Sequence, residues 1–312
     1  MAFLFYFSTL MIKKTLCFSN PAYLSLKNQQ LVIQLDKSDE KRTIPIEDIA
    51  YVLLDNQQIT ITHGAIAALL DNNAAIITCD NRHLPIGLML PLEGNTLQSE
   101  RFQNQIEASL PLRKQLWQQT IECKIRNQAA LLKMLHNCEI RNMLAWANDV
   151  RSGDNTNLEG RAAVYYWSKM FPEQDDFTRD REGIHPNAML NYGYAVLRAI
   201  VARALVASGL LPTFGIHHHN RYNSYCLADD IMEPYRPFVD LLVSKLIRQY
   251  PGQEEITTDI KRQLLTIPTL EVTISGQRSP LMVAVSQTTA SLAKCYSGEL
   301  RRITYPTFDG QI

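Results

Sequence analysis

The apolar residues of this chain change their spacing once, near residue 95, and that change limits the fold more than any other feature of the sequence. Before it, short apolar runs stand between turn residues. The runs are Leu31-Val32-Ile33-Gln34-Leu35, Ile44-Pro45-Ile46, Ile49 to Leu54 and Ile59-Thr60-Ile61, punctuated by Asn28, Asp36 to Asp39 and Asp55-Asn56. Runs this short, bounded this way, read as strands, with Pro45 at an edge or a strand start. Gly64 to Leu70 reads as one short helix, and Ala74 to Cys79 and Ile86 to Leu90 as two further strands.

Pro91 to Gln98 reads as a linker. From about Ser99 the spacing becomes helical: Phe102, Ile106, Leu110, Leu116, Trp117, Ile121, Ile125, Ala129, Leu132 and Leu135 recur mostly at three and four. Further helices are expected at Ile140 to Asn148, Leu158 to Phe171, Ala188 to Ala207, Phe238 to Tyr250 and Leu281 to Cys295, with one hairpin strand at Leu270 to Ile274 turning through Gly276-Gln277. The expected class is α+β. A small N-terminal β-sandwich-like domain fills 11–92, and a large, mainly α-helical domain fills 99–308. Residues 1–10 are apolar and aromatic, too short for a membrane span and without a positive n-region. They read as an extended start ahead of Met11, with a small signal or packing segment as the alternative. No later stretch of about 18 apolar residues suggests a membrane helix.

With 46% hydrophobic and 20% charged residues, a chain of 312 residues can bury a sizeable core. Its formal net charge of zero argues against a general polyanion-coating role, though a local basic patch could still hold phosphates. Arg113-Lys114, Lys124 with Arg126, and Arg301-Arg302 are such pairs, each by itself best read as a solvated face. The six cysteines form no C-x-x-C pair and read as buried free thiols in a reducing cytoplasm.

Seven histidines are present, and three of them stand together in Gly215-Ile216-His217-His218-His219. Leu227-Ala228-Asp229-Asp230-Ile231-Met232-Glu233-Pro234 follows closely. Imidazole and carboxylate together suit a divalent ion doing phosphoryl chemistry better than a structural zinc. A surface histidine cluster beside an acidic helix start is the plain alternative. Asp230 and Glu233, or Asp229 and Glu233, would share a face of a helix, but Pro234 biases Glu233 away from helical geometry. Asn157-Leu158-Glu159-Gly160 sets a carboxylate at a helix start, where the macrodipole favours it. Near Phe177-Thr178-Arg179, the stretch from His185 to Tyr194 would project Asn187, Asn191 and Tyr194 to one side of a helix.

Taken in order, four motifs resemble those of the CRISPR-associated integrase family Cas1: Asn157-Leu158-Glu159-Gly160, Asn187 to Tyr194, Gly215-Ile216-His217-His218, and Leu227 to Pro237. The doubled histidine and the Met-Glu-Pro form of the last motif are most similar to the type II branch. The resemblance runs from Met11 to about Phe308. It implies a DNA integrase and endonuclease of CRISPR adaptation that inserts short foreign DNA into the repeat array by attack of a 3′-hydroxyl on a phosphodiester. It further implies one Mg or Mn ion on Glu159, His218 and Glu233, with His217 or His219 as alternatives should the loop register differ, and Asp230 as an acidic neighbour of the metal. The implied partners are spacer-precursor and repeat DNA, a second copy of the chain dimerised through the β domain, the small adaptation protein Cas2 and the type II effector nuclease. The implied location is the cytoplasm, with no membrane partner. Another metal-dependent nuclease or phosphoesterase, or a nucleic-acid-binding scaffold without chemistry, are the alternatives.

Overall fold

The computed structural model describes residues 13–35, 41–81, 83–173, 177–180, 183, 185–253 and 255–308. The N-terminal extension, Met11 and the expected turn at Asp36 to Asp39 lie outside the described residues. The chain divides between Leu92 and Glu93 into two compact units.

The first unit is built on two four-stranded sheets. One pairs β1 (Lys14–Phe18), β5 (Ile49–Leu54), β7 (Ala75–Cys79) and β8 (Pro85–Met89) in that order, parallel except for the last pair. The other runs β4 (Lys41–Pro45), β3 (Gln30–Leu35), β2 (Ala22–Lys27) and β6 (Thr60–Ile61). The β2–β3 hairpin turns through Asn28 and Gln29, both at positive φ, as a two-residue turn that follows the strand twist requires. Helix α1 (His63–Asp71) starts on Thr62, whose side chain accepts from the Ala65 N–H. Phe18, Leu24, Leu31, Ile33, Ile49, Val52, Leu69 and Ile76 form one core shared by both sheets and α1. The expected strand Ile44-Pro45-Ile46 is cut short. Pro45 ends β4, having no N–H for a ladder, and Ile46 opens a 3-10 turn.

The second unit holds α2 (Gln98–Ile106), α3 (Leu110–His136), α4 (Arg141–Asp149), α5 (Leu158–Met170), α6 (Asn187–Ala207), α7 (Cys226–Met232), α8 (Arg236–Gln249), α9 (Thr258–Leu264) and α10 (Leu281–Tyr296). A three-stranded sheet sets β9 (Glu271–Ile274) between β10 (Gln277–Pro280) and β11 (Pro306–Thr307). The β9–β10 turn lies at Ser275-Gly276, both at positive φ, so Gln277 is already in the strand.

Helix α6 lies at the centre, packed against α7, α8, α9 and α10. Among the described residues it alone is long and apolar enough to cross a membrane, and its most apolar window, of mean hydropathy 1.2, is 72% buried inside the protein. Asn191, Arg198 and Arg203 interrupt it, so it is not an unbroken run of about 18 apolar residues. The length and hydropathy are present, and packing on several sides uses them. A Cβ on Gly193 would lie 2.6 Å from Val239 Cγ1, so glycine at this position lets α6 and α8 approach. All six cysteines are free, but Cys17 is exposed and Cys123 and Cys138 only part-buried, which corrects the expectation of uniformly buried thiols.

Candidate metal centre

Glu159 stands in the first turn of α5, which is pinned from outside the helix. Asn157, at φ 53°, caps it by accepting from the Gly160 N–H at 3.1 Å. The buried Asp154 carboxylate accepts from the N–H groups of both Leu158 and Glu159, each at 2.9 Å. Three of the donors that a helix start leaves open are thus satisfied by side chains. A Cβ on Gly160 would sit 2.7 Å from the Asn157 amide, which explains the glycine that follows Glu159.

The histidine loop folds back onto α7 around Asp230, which is wholly buried. Asp230 accepts from the His217 N–H at 2.9 Å and meets His218 Nδ1 at 2.5 Å. A carboxylate only accepts, so Nδ1 carries the proton and the Nε2 of neutral His218 keeps a free lone pair. The bond to Asp230 raises the His218 pKa above its ordinary value by more than burial depresses it. A Cβ on Gly215 would fall 2.3 Å from the His218 carbonyl oxygen and 2.8 Å from Asp230, so glycine is needed for the loop to close. His217 stacks on the buried Trp117 of α3, and its pKa is lowered by burial and by neighbouring His218. His219 is exposed.

Glu233 keeps helical geometry, φ −52° and ψ −47°, in spite of the proline that follows it. Its residue opens a 3-10 turn, Glu233–Tyr235, that joins α7 to α8. The expected bias away from helix is overridden by the two helices on either side and by Asn127 of α3, whose amide donates to the Pro234 carbonyl at 2.8 Å. Glu233 is buried. Its Oε1 accepts from Arg236 Nε at 2.9 Å, and its Oε2 lies 2.7 Å from Lys124 Nζ. Asp229 does not join it, being held by Arg198 at 2.6 Å and Asn223 at 2.7 Å.

The same Lys124 Nζ stands 2.6 Å from Glu159 Oε1. One ammonium therefore bridges the carboxylates of the first and last motifs, 74 residues apart in the numbering (233 less 159). Burial opposes the charge on Lys124, but Glu233 and Glu159 outweigh it and raise its pKa. Burial likewise pushes the Glu233 carboxyl up, while Arg236 and Lys124 prevail and bring it to about 2. The expectation of a solvated Lys124 is corrected; only Arg126 behaves so, paired with Glu122 at 3.0 Å. The signal was available in the helix period. Lys124 falls three after Ile121 and four after Thr120, on the buried face of α3.

Among the described residues, no three side chains of His, Cys, Asp or Glu are gathered closely enough to hold a metal ion. What the structure does bring together is one oxygen from each of Glu159 and Glu233 around a single cationic nitrogen. Two hard carboxylate donors already converging on a positive charge fit a divalent cation.

The third sequence cluster backs this site. Arg179 donates to Asn187 Oδ1 at 2.9 Å and Asn191 Oδ1 at 2.6 Å, and lies over the Tyr194 ring, so those side chains do share a face. Tyr194 and Tyr166 donate their hydroxyls to the buried Asp240 at 2.5 and 2.7 Å. Burial pushes Asp240 up to about 6, against the lowering effect of those two bonds. Arg236 stacks on Tyr194 at 4.5 Å and so connects Asp240 to Glu233.

The family profile described as CRISPR associated protein Cas1 matches residues 16–266. The chain is 38% identical over 280 residues to a CRISPR-associated endonuclease Cas1 of Neisseria meningitidis serogroup C (strain 8013), covering 89% of this chain and 90% of that one. It is 28% identical over 266 residues to a Cas1 of Pyrobaculum aerophilum, covering 81% and 90%. The fold matches a casposase bound to its integration product with TM-score 0.75 at 22% identity, over 93% of this chain and 92% of that one. It matches a Cas1 protein of Thermotoga maritima with TM-score 0.74 at 16% identity, over 96% and 100%. With three of its four motifs carrying the two carboxylates and the histidine loop and the remaining one packed behind them, and its likeness extending over nearly its whole length, the chain belongs to the CRISPR-associated Cas1 family.

Proposed function

We propose that this protein is a metal-dependent DNA integrase and endonuclease of CRISPR adaptation, of the type II branch, with Glu159, His218 and Glu233 as the ligands of one Mg or Mn ion. The observation that carries the reading is the convergence of Glu159 and Glu233 on one cation, beside a histidine whose Nδ1 is already taken by Asp230. The family membership and the similarity to a chain named as an endonuclease support it.

In the reaction, the 3′-oxygen of the incoming DNA forms a bond to a repeat phosphorus and gives up its proton. The bond from that phosphorus to its own 3′-oxygen breaks, and the departing oxygen takes up a proton. Phosphodiester bonds are conserved in number, so no nucleotide cofactor is consumed. A bound divalent ion would neutralise charge on the phosphoryl oxygens. The chain's own contribution is placement. Asp154 and Asn157 fix the helix start that presents Glu159, Asp230 keeps the proton on His218 Nδ1, and Arg236 and Asn127 hold the Glu233 turn. The first unit is assigned to self-association and the second to chemistry. Cas2, the repeat and spacer-precursor DNA, and the type II effector nuclease are the proposed partners, in the cytoplasm.

The test uses purified protein with its small partner, a short duplex bearing free 3′-hydroxyls and a repeat-containing plasmid. Joining in Mn or Mg that stops with EDTA, DNA binding being retained, is the expected result. Cleavage without joining would reduce the protein to a nuclease. Binding that ignores EDTA, without cleavage or joining in either metal, would make it a scaffold.

A further inference from the structure

A buried lysine is costly unless its charge is met. The Lys124 side chain is 11% exposed and rises from the apolar face of α3, among Thr120, Ile121, Ile125 and Gln128. It is met by two carboxylates, one from each end of the motif set, at 2.6 and 2.7 Å. The Glu233 contact is informative in its direction. Glu233 Oε2 is buried and stands 2.7 Å from the ammonium, outside good hydrogen-bond alignment. Charge is the larger part of its attraction to Lys124. An oxygen held that way is as well suited to a spherical cation as to an N–H. Glu233 Oε1, by contrast, is engaged by Arg236 and stays fixed.

We propose that Lys124 is a built-in counter-cation of the metal site: its ammonium and the divalent ion compete for one seat between Glu159 and Glu233, and loading the ion displaces the ammonium from both carboxylates. This rests on the metal-site reading above. The ammonium compensates two negative charges, one buried on Glu233 and one part-buried on Glu159, that would otherwise repel each other, so the pocket stays formed without metal. The same contact sets a threshold, because a divalent ion must outbid a cation already bound there.

Two measurements test it, neither needing turnover. In the wild-type protein, acylation of lysine amines by an N-hydroxysuccinimide ester is followed by mass spectrometry in EDTA and in saturating Mn2+, with exposed Lys169 as internal standard. Lys124 should be protected in EDTA and label several-fold faster in Mn2+; an equal or slower rate overturns the proposal. By calorimetry, Lys124→Met, which keeps an apolar stem of similar length, should bind Mn2+ about tenfold or more tightly, since a unit charge has left the seat. Equal or weaker binding overturns the proposal. Should the variant not fold, the wild-type labelling decides alone. Wild-type protein that joins DNA while Lys124 stays protected sinks this inference and leaves the integrase reading standing. Release of Lys124 by Mn2+ without any joining does the reverse, and a wild-type protein that binds no Mn2+ removes both.

Discussion

Trp117 lies flat on His217, the ring centroids 4.3 Å apart and the planes 4° from parallel, while it meets His218 edge-on at 5.6 Å. The stack ties His217 to α3, and the Asp230 contact turns His218 so that one ring nitrogen remains for a ligand. Joining activity should therefore fall by more than about 100-fold in His218→Ala, beyond the 10–100-fold typical of losing a partner that merely supports a ligand. His217→Ala and His219→Ala should keep appreciable activity. A plasmid-joining assay on the three variants checks this, and the opposite ranking of His217 and His218 would shift the register by one.

Glu159→Ala should abolish joining while leaving self-association unchanged. Its backbone N–H is held by Asp154 whatever the side chain, so the helix start survives. Light scattering together with the joining assay reads both halves. Wild-type joining by the purified variant in Mn2+ would remove Glu159 from the site.

Asp154→Ala should lower the melting temperature. Two N–H groups lose their acceptor, and a lost cap costs about 1 kcal/mol. At roughly 2–4 °C per kcal/mol for a domain this large, a fall of about 2–8 °C is expected by scanning calorimetry. An unchanged melting temperature would show that α5 does not depend on this acceptor.

Asp240 gives a pH signature of opposite sign to the usual carboxylate. Its pKa is raised in the fold to about 6 from an ordinary 3.8, so the folded state favours the protonated form. The stability this contributes is fully present below about pH 3.8 and is lost as pH rises through about 6. Relative to Asp240→Asn, the wild type should lose on the order of 2 kcal/mol between pH 4 and 7. Urea unfolding of both proteins across that range measures the difference, and parallel curves would refute the assignment.

The fragment 93–312 should be monomeric. No catalytic motif lies in the first unit, whose sheets end in the short edge strands β1, β4, β6 and β8, and strand edges are natural sites of pairing. Light scattering decides it, and a fragment that still dimerises would move the interface to the second unit.

The strand-to-helix change near residue 95, the positions of the long helices and the helix start that carries Glu159 were all legible, because each rests on local periodicity or on a charge at a helix end. The break between α2 and α3 was not. Apolar spacing runs through it, and the signals are Ser109, which caps at Leu112, and Pro111 within the first turn. Helices α7 and α9, of seven residues each, carry too few turns to show a period. In the site, Glu159 and the histidine loop stood out by residue type, but Lys124 looked like one more surface cation beside Arg126. Its partners lie 35 and 109 residues further along the numbering (159 and 233 less 124), and no local pattern reports contacts of that range.

Helix α3 works as a ruler for everything around the site. Within about 15 Å of rise it sets Trp117 against His217, Thr120 against the Tyr305 hydroxyl, Lys124 between the carboxylates and Asn127 on the carbonyls of Pro234 and Pro306. One residue added between Trp117 and Asn127 would turn every later side chain by about 100° and slide it about 1.5 Å. Seven would restore the direction but carry Asn127 about 10 Å past its carbonyls. Substitutions along this stretch can be graded by what each contact contributes. A change in the number of residues cannot be graded at all, since it moves every mark on the ruler at once.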